Sequence, residues 1–251
     1  MTSNDSVLAT TVQKIFLDHF STQPLVVCAP GRVNLIGEHT DYNEGFVLPA
    51  AVDKAVYIAI APSTSSQGKW VSLDFNESVD IDFQQIVPLP QRWANYILGI
   101  VDQLQKSGKP IPLFDCVVAG DVPIGSGMSS SAALESAVVY ALNELHQLGL
   151  SRWEMALLAQ KSENEFIGVK CGIMDMFASL HGKANHVIRL DCRDLSFEYF
   201  PIQLGDYRIV LFDTGVKHSL ADSAYNARRA QCEEGVRFFQ KHYNAPTKSL
   251  R

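Results

Sequence analysis

The apolar positions of the chain change period several times, and each change predicts an element. Val7, Leu8, Val12, Phe16 and Leu17 recur at roughly helical spacing, which predicts a helix over 6–20. LVVCAP (25–30) is a short apolar run closed by Pro30-Gly31 and reads as a strand. FVLPAAVDKAVYIAIAPS (46–63) is nearly continuous in apolar residues around 55–61. KWVSLDF (69–75) alternates as a half-buried strand does, and DIDF (80–83) can pair beside it. QRWANYILGIVDQLQKS (91–107) predicts a helix ended by Gly108 and Pro110, and LFDCVVAGD (113–121) a strand.

After the loop VPIGSG, residues 129–148 read as a long helix rich in Ala, Leu and Val. The next helix starts at Ser151, where Ser151 and Glu154 form a capping box, and Gly168 is its stop. Trp153, Leu157 and Phe166 mark its inward face and leave Glu163 on the polar side. MDMFASLH (174–181) is a short helix stopped by Gly182. Strand-like runs follow over 186–213 (HVIRLDC, FEYFPI, YRIVLFD), then a highly charged helix over 219–243. NAPTKSLR ends the chain in polar, turn-like sequence without a closing element. A domain that has just begun a new set of strands and one helix reads as unfinished.

Composition narrows the classes. With 47% hydrophobic residues over 251 positions the chain can bury a substantial core. Lys plus Arg number 21 against 27 Asp plus Glu, a net charge of −6 without a basic stripe, which argues against a nucleic-acid partner. The five cysteines are scattered and form no C-x-x-C pair, as expected of thiols in a reducing compartment. No apolar run approaches the ~20 residues of a membrane span, and the first residues do not read as a signal peptide. The expectation is a soluble, cytoplasmic protein.

Two segments carry unusual chemistry. GRVNLIGEHTDYNEGF (31–46) crowds Arg32, Glu38, His39, Asp41 and Glu44 against Val33, Leu35 and Ile36. It reads either as a solvated loop or as a binding loop whose charges face a polar ligand while the apolar three anchor it. VPIGSGMSSSAALESAVVYAL (122–142) is a strand–loop–helix transition. Gly125 and Gly127 permit close backbone approach, and Ser129, Ser130 and Ser131 fall at the start of the helix, where free N–H groups favour phosphate. The loop lacks the lysine of a Walker A and the third glycine of a dinucleotide fingerprint. An ordinary serine cap after a glycine turn is the competing reading.

A carboxylate pair follows. Asp175 sits in a first helical turn, where the dipole alone would favour an acid. Ile173, Met174, Met176 and Phe177 flank it, a setting costly for a carboxylate without a partner. Glu163 taken alone reads as a solvated helix residue. A hard cation on phosphate oxygens would, however, need such a carboxylate together with a hydroxyl from the serine loop. Cradle, metal ligand, acid and arginine are the parts of a phosphoryl-transfer site.

These residues resemble the galactokinases, within the superfamily that includes homoserine, mevalonate and phosphomevalonate kinases. GRVNLIGEHTDYNEGFVLP (31–49) is similar to the galactokinase signature, and VPIGSGMSSSAALE (122–135) to the superfamily's nucleotide loop. CGIMDMFASLHG (171–182) resembles the segment of the catalytic aspartate, and SAYNARRAQCEEG (223–235) a further galactokinase segment. The resemblance implies an α+β, two-lobed sugar-kinase fold, with the nucleotide- and sugar-binding lobe over 1–190 and the start of a second lobe, incomplete in this chain, over 191–251. It further implies ATP-dependent phosphorylation of galactose at the anomeric hydroxyl, with ATP and Mg2+ as cofactors and no nucleic-acid or membrane partner.

By the same resemblance Asp175 is the catalytic acid–base and Arg32 stabilises the transition state. Glu38, His39, Thr40, Asp41, Gly172 and Tyr225 form the sugar site. Gly125, Ser126, Gly127, Met128, Ser129, Ser130 and Ser131 wrap the ATP phosphates, and Ser72 touches the nucleotide. Ser131 and Glu163 ligate magnesium. The chain departs from the family in three ways. Met128 replaces a leucine, Met176 replaces a glutamine beside Asp175, and a third, glycine-rich motif is missing. An N-acetylgalactosamine kinase, a non-catalytic sugar- and ATP-binding regulator, and an inactive fragment are the alternatives.

Overall fold

The apolar run at 55–61 lacks alternation because its strand is covered on both faces, as parallel-sheet and central strands are. In the computed structural model, which describes residues 3–212, 224–243 and 246–251, that strand is β3 (Pro49–Pro62). It pairs antiparallel with β1 (Leu25–Asn34) on one side and β6 (Phe114–Gly120) on the other. β4 (Gly68–Ser72) runs parallel to β6, and β5 (Glu77–Ile81) closes the sheet in the order β1-β3-β6-β4-β5.

Tyr57, Ala59 and Ala61 face α1 (Ser3–His19), where Val12 and Phe16 are fully buried. Val56, Ile58 and Ile60 face the larger core. That core is built from α2 (Arg92–Lys106), α3 (Ser130–His146), α4 (Arg152–Ser162) and α5 (Met174–His181). The predicted capping box forms at α4: the Glu154 amide donates to Ser151 Oγ at 3.2 Å and the Ser151 amide to Glu154 Oε2 at 2.8 Å.

A second, three-stranded sheet has the order β2-β7-β8, from β2 (Phe46–Val47), β7 (His186–Asp191) and β8 (Phe197–Pro201). The run beginning at Phe46 is thus two strands in two sheets, β2 against β7 and β3 against β1 and β6. The charged segment 35–45 is the link between them.

Four expectations are corrected. β1 does not stop at Pro30-Gly31 but continues to Asn34 through a register shift between Pro30 and Arg32, a bulge that absorbs the missing proline N–H. Arg32 and Val33 therefore sit on a strand, and only Val33 is buried; Leu35 and Ile36 are 40% and 66% exposed, so they do not anchor the segment. YRIVLFD forms no strand over 207–212, where Val210 and Phe212 are exposed. A strand needs a hydrogen-bonding neighbour, and this segment has none among the described residues; Asp213 lies outside them. Leu157 is exposed on α4 rather than inward. The last helix, α6, is Ala224–Tyr243, and the predicted start at 219–223 lies outside the described residues.

Candidate active site

The bulge in β1 brings Arg32 against α5 and the glycine–serine loop. Arg32 Nε donates to Asp175 Oδ1 at 2.8 Å, its Nη2 lies 2.7 Å from the same oxygen, and its Nη1 donates to the Gly127 carbonyl. The other Asp175 oxygen, Oδ2, accepts from Ser129 Oγ at 2.5 Å. Arginine, aspartate and serine come from three separate stretches of chain, and both aspartate oxygens have partners. The Arg32 amide also donates to the Met128 carbonyl at 3.2 Å. That approach requires Gly31, because a Cβ there would stand 2.7 Å from the Met128 oxygen.

The loop itself is open to a ligand. Gly125 and Gly127 hold left-handed φ of 80° and 81° with nothing within 4 Å of where a Cβ would be. Ser126 Oγ donates to the Pro123 carbonyl at 2.7 Å and closes the turn. Ser129, at φ 56°, is the N-cap of α3, yet its hydroxyl makes no cap bond because it is turned to Asp175. The amides of the first turn, which Ser130 and Ser131 open, are left without a side-chain cap, the arrangement that receives an anion.

Glu163 is not on a solvated face. It opens a π-helical turn, Glu163–Ile167, that continues α4, and it is 4% exposed. Burial pushes its carboxyl up, while hydrogen bonds from the Cys171 thiol and the Ser131 hydroxyl pull it down. Met155, Ala156, Ala159 and Ser162 are the buried face of α4, and Glu163, one turn beyond Ala159, continues it; the polar side assigned to Glu163 came from placing Leu157 inward. Ser131 and Glu163 are thereby in contact. One carboxylate and one hydroxyl, with the remaining positions left to water and phosphate oxygens, is a donor set that suits magnesium.

The 3-10 turn Asp41–Asn43 carries the sugar-site candidates. Asp41 is 8% exposed, and its Oδ1 accepts from the Tyr42 amide at 2.9 Å. Desolvation first, then the nearby Asp175 charge, lift its pKa to about 6. It rests directly on Gly172, where a Cβ would lie 2.0 Å from Asp41 Oδ2. His39 is in the left-handed region at φ 60°, a conformation costing about 1–2 kcal/mol for a residue with a Cβ. Its Nδ1 pairs with the Tyr42 hydroxyl at 2.5 Å, and its ring lies 5.5 Å from that of Tyr225 on α6.

The Gly172 backbone hydrogen-bonds the Tyr225 hydroxyl, whose pKa burial raises far above the usual phenol value. Asn226, the next residue, spans the 168–170 turn: its Nδ2 donates to the Gly168 carbonyl at 3.0 Å, and its Oδ1 accepts from the Lys170 amide at 3.0 Å.

Glu38 lines a cleft of about 240 Å³ with Arg32, Asn34, Gly127 and Met174, and accepts from Asn34 Nδ2 at 3.1 Å. A larger cleft of about 520 Å³ runs along β1 and holds none of the predicted site residues, so size does not mark the chemistry here.

Two predicted residues are placed elsewhere. Thr40 Oγ1 lies 2.6 Å from the Gly37 carbonyl and 2.7 Å from that of Phe46, so its hydroxyl closes the loop. Ser72 is 2% exposed in β4, opposite Val118 of β6, inside the sheet rather than on the loop. Met176 is fully buried in the main core.

The sequence reading missed Tyr42, Asn226 and Glu135. Glu135 of α3 is fully buried, and burial raises its carboxyl well above the usual range. Its Oε1 accepts from Ser162 Oγ at 2.9 Å, while Oε2 has no partner among the described residues. A lone acid in the apolar run AALESAVV was the available signal.

A sheet backed by α3, whose serine-rich N-terminus has no side-chain cap, thus faces a part-buried Arg32–Asp175 pair. Residues 95–183 match the GHMP kinases N terminal domain, and 14–62 match the galactokinase galactose-binding signature. The chain is similar to galactokinases. It is 47% identical over 232 residues to a galactokinase of Chloroflexus aggregans, covering 92% of this chain and 59% of that relative. A Thermotoga neapolitana galactokinase is 44% identical over 86% of this chain and 60% of its own length. The fold superposes on the crystal structure of Lactococcus lactis galactokinase complexed with galactose at TM-score 0.89 and 35% identity, over 97% of this chain and 64% of that one. Methanococcus jannaschii mevalonate kinase, at 20% identity and TM-score 0.58, shares the fold. The chain thus spans about three fifths of the length of its galactokinase relatives.

Proposed function

We propose that the chain transfers the γ-phosphoryl group of ATP to the anomeric hydroxyl of galactose, giving galactose 1-phosphate and ADP. The observation that carries this reading is Asp175, held on one oxygen by Arg32 and on the other by the cap serine of an otherwise uncapped helix start. An acid joined to a phosphate cradle in this way stands where a hydroxyl nucleophile and a γ-phosphoryl group must meet.

In this reading Asp41 and Glu38 accept hydrogen bonds from sugar hydroxyls, with His39 and Tyr225 beside them. Gly172 leaves the room Asp41 needs. Asp175 orients the anomeric hydroxyl and takes its proton as the sugar oxygen bonds to the γ-phosphorus and the bond to ADP breaks. Arg32 faces the charge that spreads over the transferring oxygens, the main demand of a loose phosphoryl transition state. The amides of 125–131 hold the nucleotide phosphates, and Ser129 exchanges its bond to Asp175 for one to phosphate. Ser131 and Glu163 would hold magnesium, which when bound neutralises charge on the β- and γ-phosphates. The lobes divide near 190 in this account.

A cytoplasmic setting fits thiols at Cys116, Cys171, Cys192 and Cys232. No helix among the described residues is long and apolar enough to cross a membrane.

The test is purified protein with ATP, magnesium and a panel of hexoses, read by ADP release. Release is expected with galactose and not with N-acetylgalactosamine. Galactose binding in the presence of ATP and magnesium without ADP release would overturn the reading.

A further inference from the structure

The loop that carries Asp41 is clasped from outside by a residue far away in sequence. Arg251 places Nη1 2.6 Å from Asp191 Oδ1 and Nη2 2.8 Å from Asp191 Oδ2, a two-pronged pair at the end of β7. Its Nη1 also donates to the Glu44 carbonyl at 3.1 Å, and its guanidinium lies over the Phe46 ring at 4.3 Å from the centroid. Glu44 ends the Asp41–Asn43 turn in the left-handed conformation, φ 58°, and Phe46 begins β2.

From this geometry we propose that Arg251 is a positioning residue for the sugar site, fixing the exit of the 37–46 loop on the second sheet so that Asp41 keeps its seat on Gly172. The inference rests on Asp41 being the sugar's acceptor.

Three observations converge on it. A non-glycine residue held left-handed needs its surroundings to over-determine it, and the Arg251 bond to the Glu44 carbonyl does so at the residue closing the turn. Arg193 Nε, 3.8 Å from Glu44 Oε2, adds only a loose, solvent-exposed pairing on the same residue. The register is also tight: Phe46 opposes Asp191 in the β2–β7 ladder, so the arginine ties both partners of one rung. Finally, Asp41 has little slack, since the space for even a Cβ on Gly172 is taken by its carboxylate. A loop freed at Glu44 would let that carboxylate drift. The fork is specific to arginine: a lysine offers a point charge and cannot span both Asp191 oxygens while reaching Glu44.

The test compares the full chain with Arg251→Ala and Arg251→Lys by hydrogen exchange and by separate titrations with galactose and with ATP. Exchange over 40–47 should quicken in Arg251→Ala while that over 123–131 stays as in the parent. Galactose affinity should fall about tenfold, as loss of a charged hydrogen-bond clasp implies, with ATP affinity unchanged. Arg251→Lys should recover only part of either effect. Unchanged exchange over 40–47, or equal losses for galactose and ATP, would overturn the proposal. If the parent binds no galactose, the sugar-site reading fails, and the clasp then stands or falls on the exchange data alone.

Discussion

At Asp41 the proposed sugar-binding role sets two demands in conflict. A sugar hydroxyl needs an ionised acceptor, and the burial that shapes the pocket resists ionisation, lifting the group to about 6. Because the folded pKa lies above the unfolded value of about 3.9, the native state holds the extra proton between the two, so stability falls as pH rises through that window and the penalty is complete above it. Asp41→Asn, which cannot ionise, should therefore be more stable than the parent by up to about 3 kcal/mol near pH 8, the gain vanishing below about pH 4. Urea titrations at the two pH values check this, and a pH-independent difference would contradict it. The same group predicts that galactose affinity in the parent weakens as pH falls below about 6.

At the scale of elements, the inward face of α4 decides between a surface glutamate and a buried one at 163, because Met155, Ala156, Ala159 and Ser162 lead into Glu163 at helical spacing. Glu163→Gln keeps the shape and removes the charge, so the affinity of the protein for manganous nucleotide, followed by electron paramagnetic resonance, should drop about tenfold or more. Nucleotide affinity without metal should change little; an unchanged manganous affinity would remove Glu163 from the ligand set. This element also marks where sequence reading ends. Helices α2, α3 and α5 were legible because periodicity and glycine stops are local properties. The burial of Glu163 was not, because the exposed Leu157 pointed the apolar pattern of α4 at the wrong face. The bulge carrying Arg32 past Pro30-Gly31 was hidden for a similar reason: a proline and glycine pair marks a turn unless a neighbouring strand supplies the register. Exposure of Leu35 and Ile36 was likewise decided by the link between the sheets, not by the residues.

Across the whole molecule, the site is assembled from the first sheet, the start of α3, the π-turn, α5 and α6, with 35–45 bridging two sheets. The motifs naming its parts were legible as words, because Arg32, Asp41, Asp175 and the serine run are unusual where they stand. Their pairing was not legible, because residues 143 apart, such as Arg32 and Asp175, meet only through the fold. The central claim is that this meeting point moves a phosphoryl group onto galactose. Phosphorus NMR of ATP, magnesium and galactose with the parent and with Asp175→Asn tests it most directly. The account predicts an anomeric galactose phosphate signal growing with the parent, slowed by about a thousandfold in the variant while nucleotide binding is retained. Equal product formation by the two proteins would contradict it.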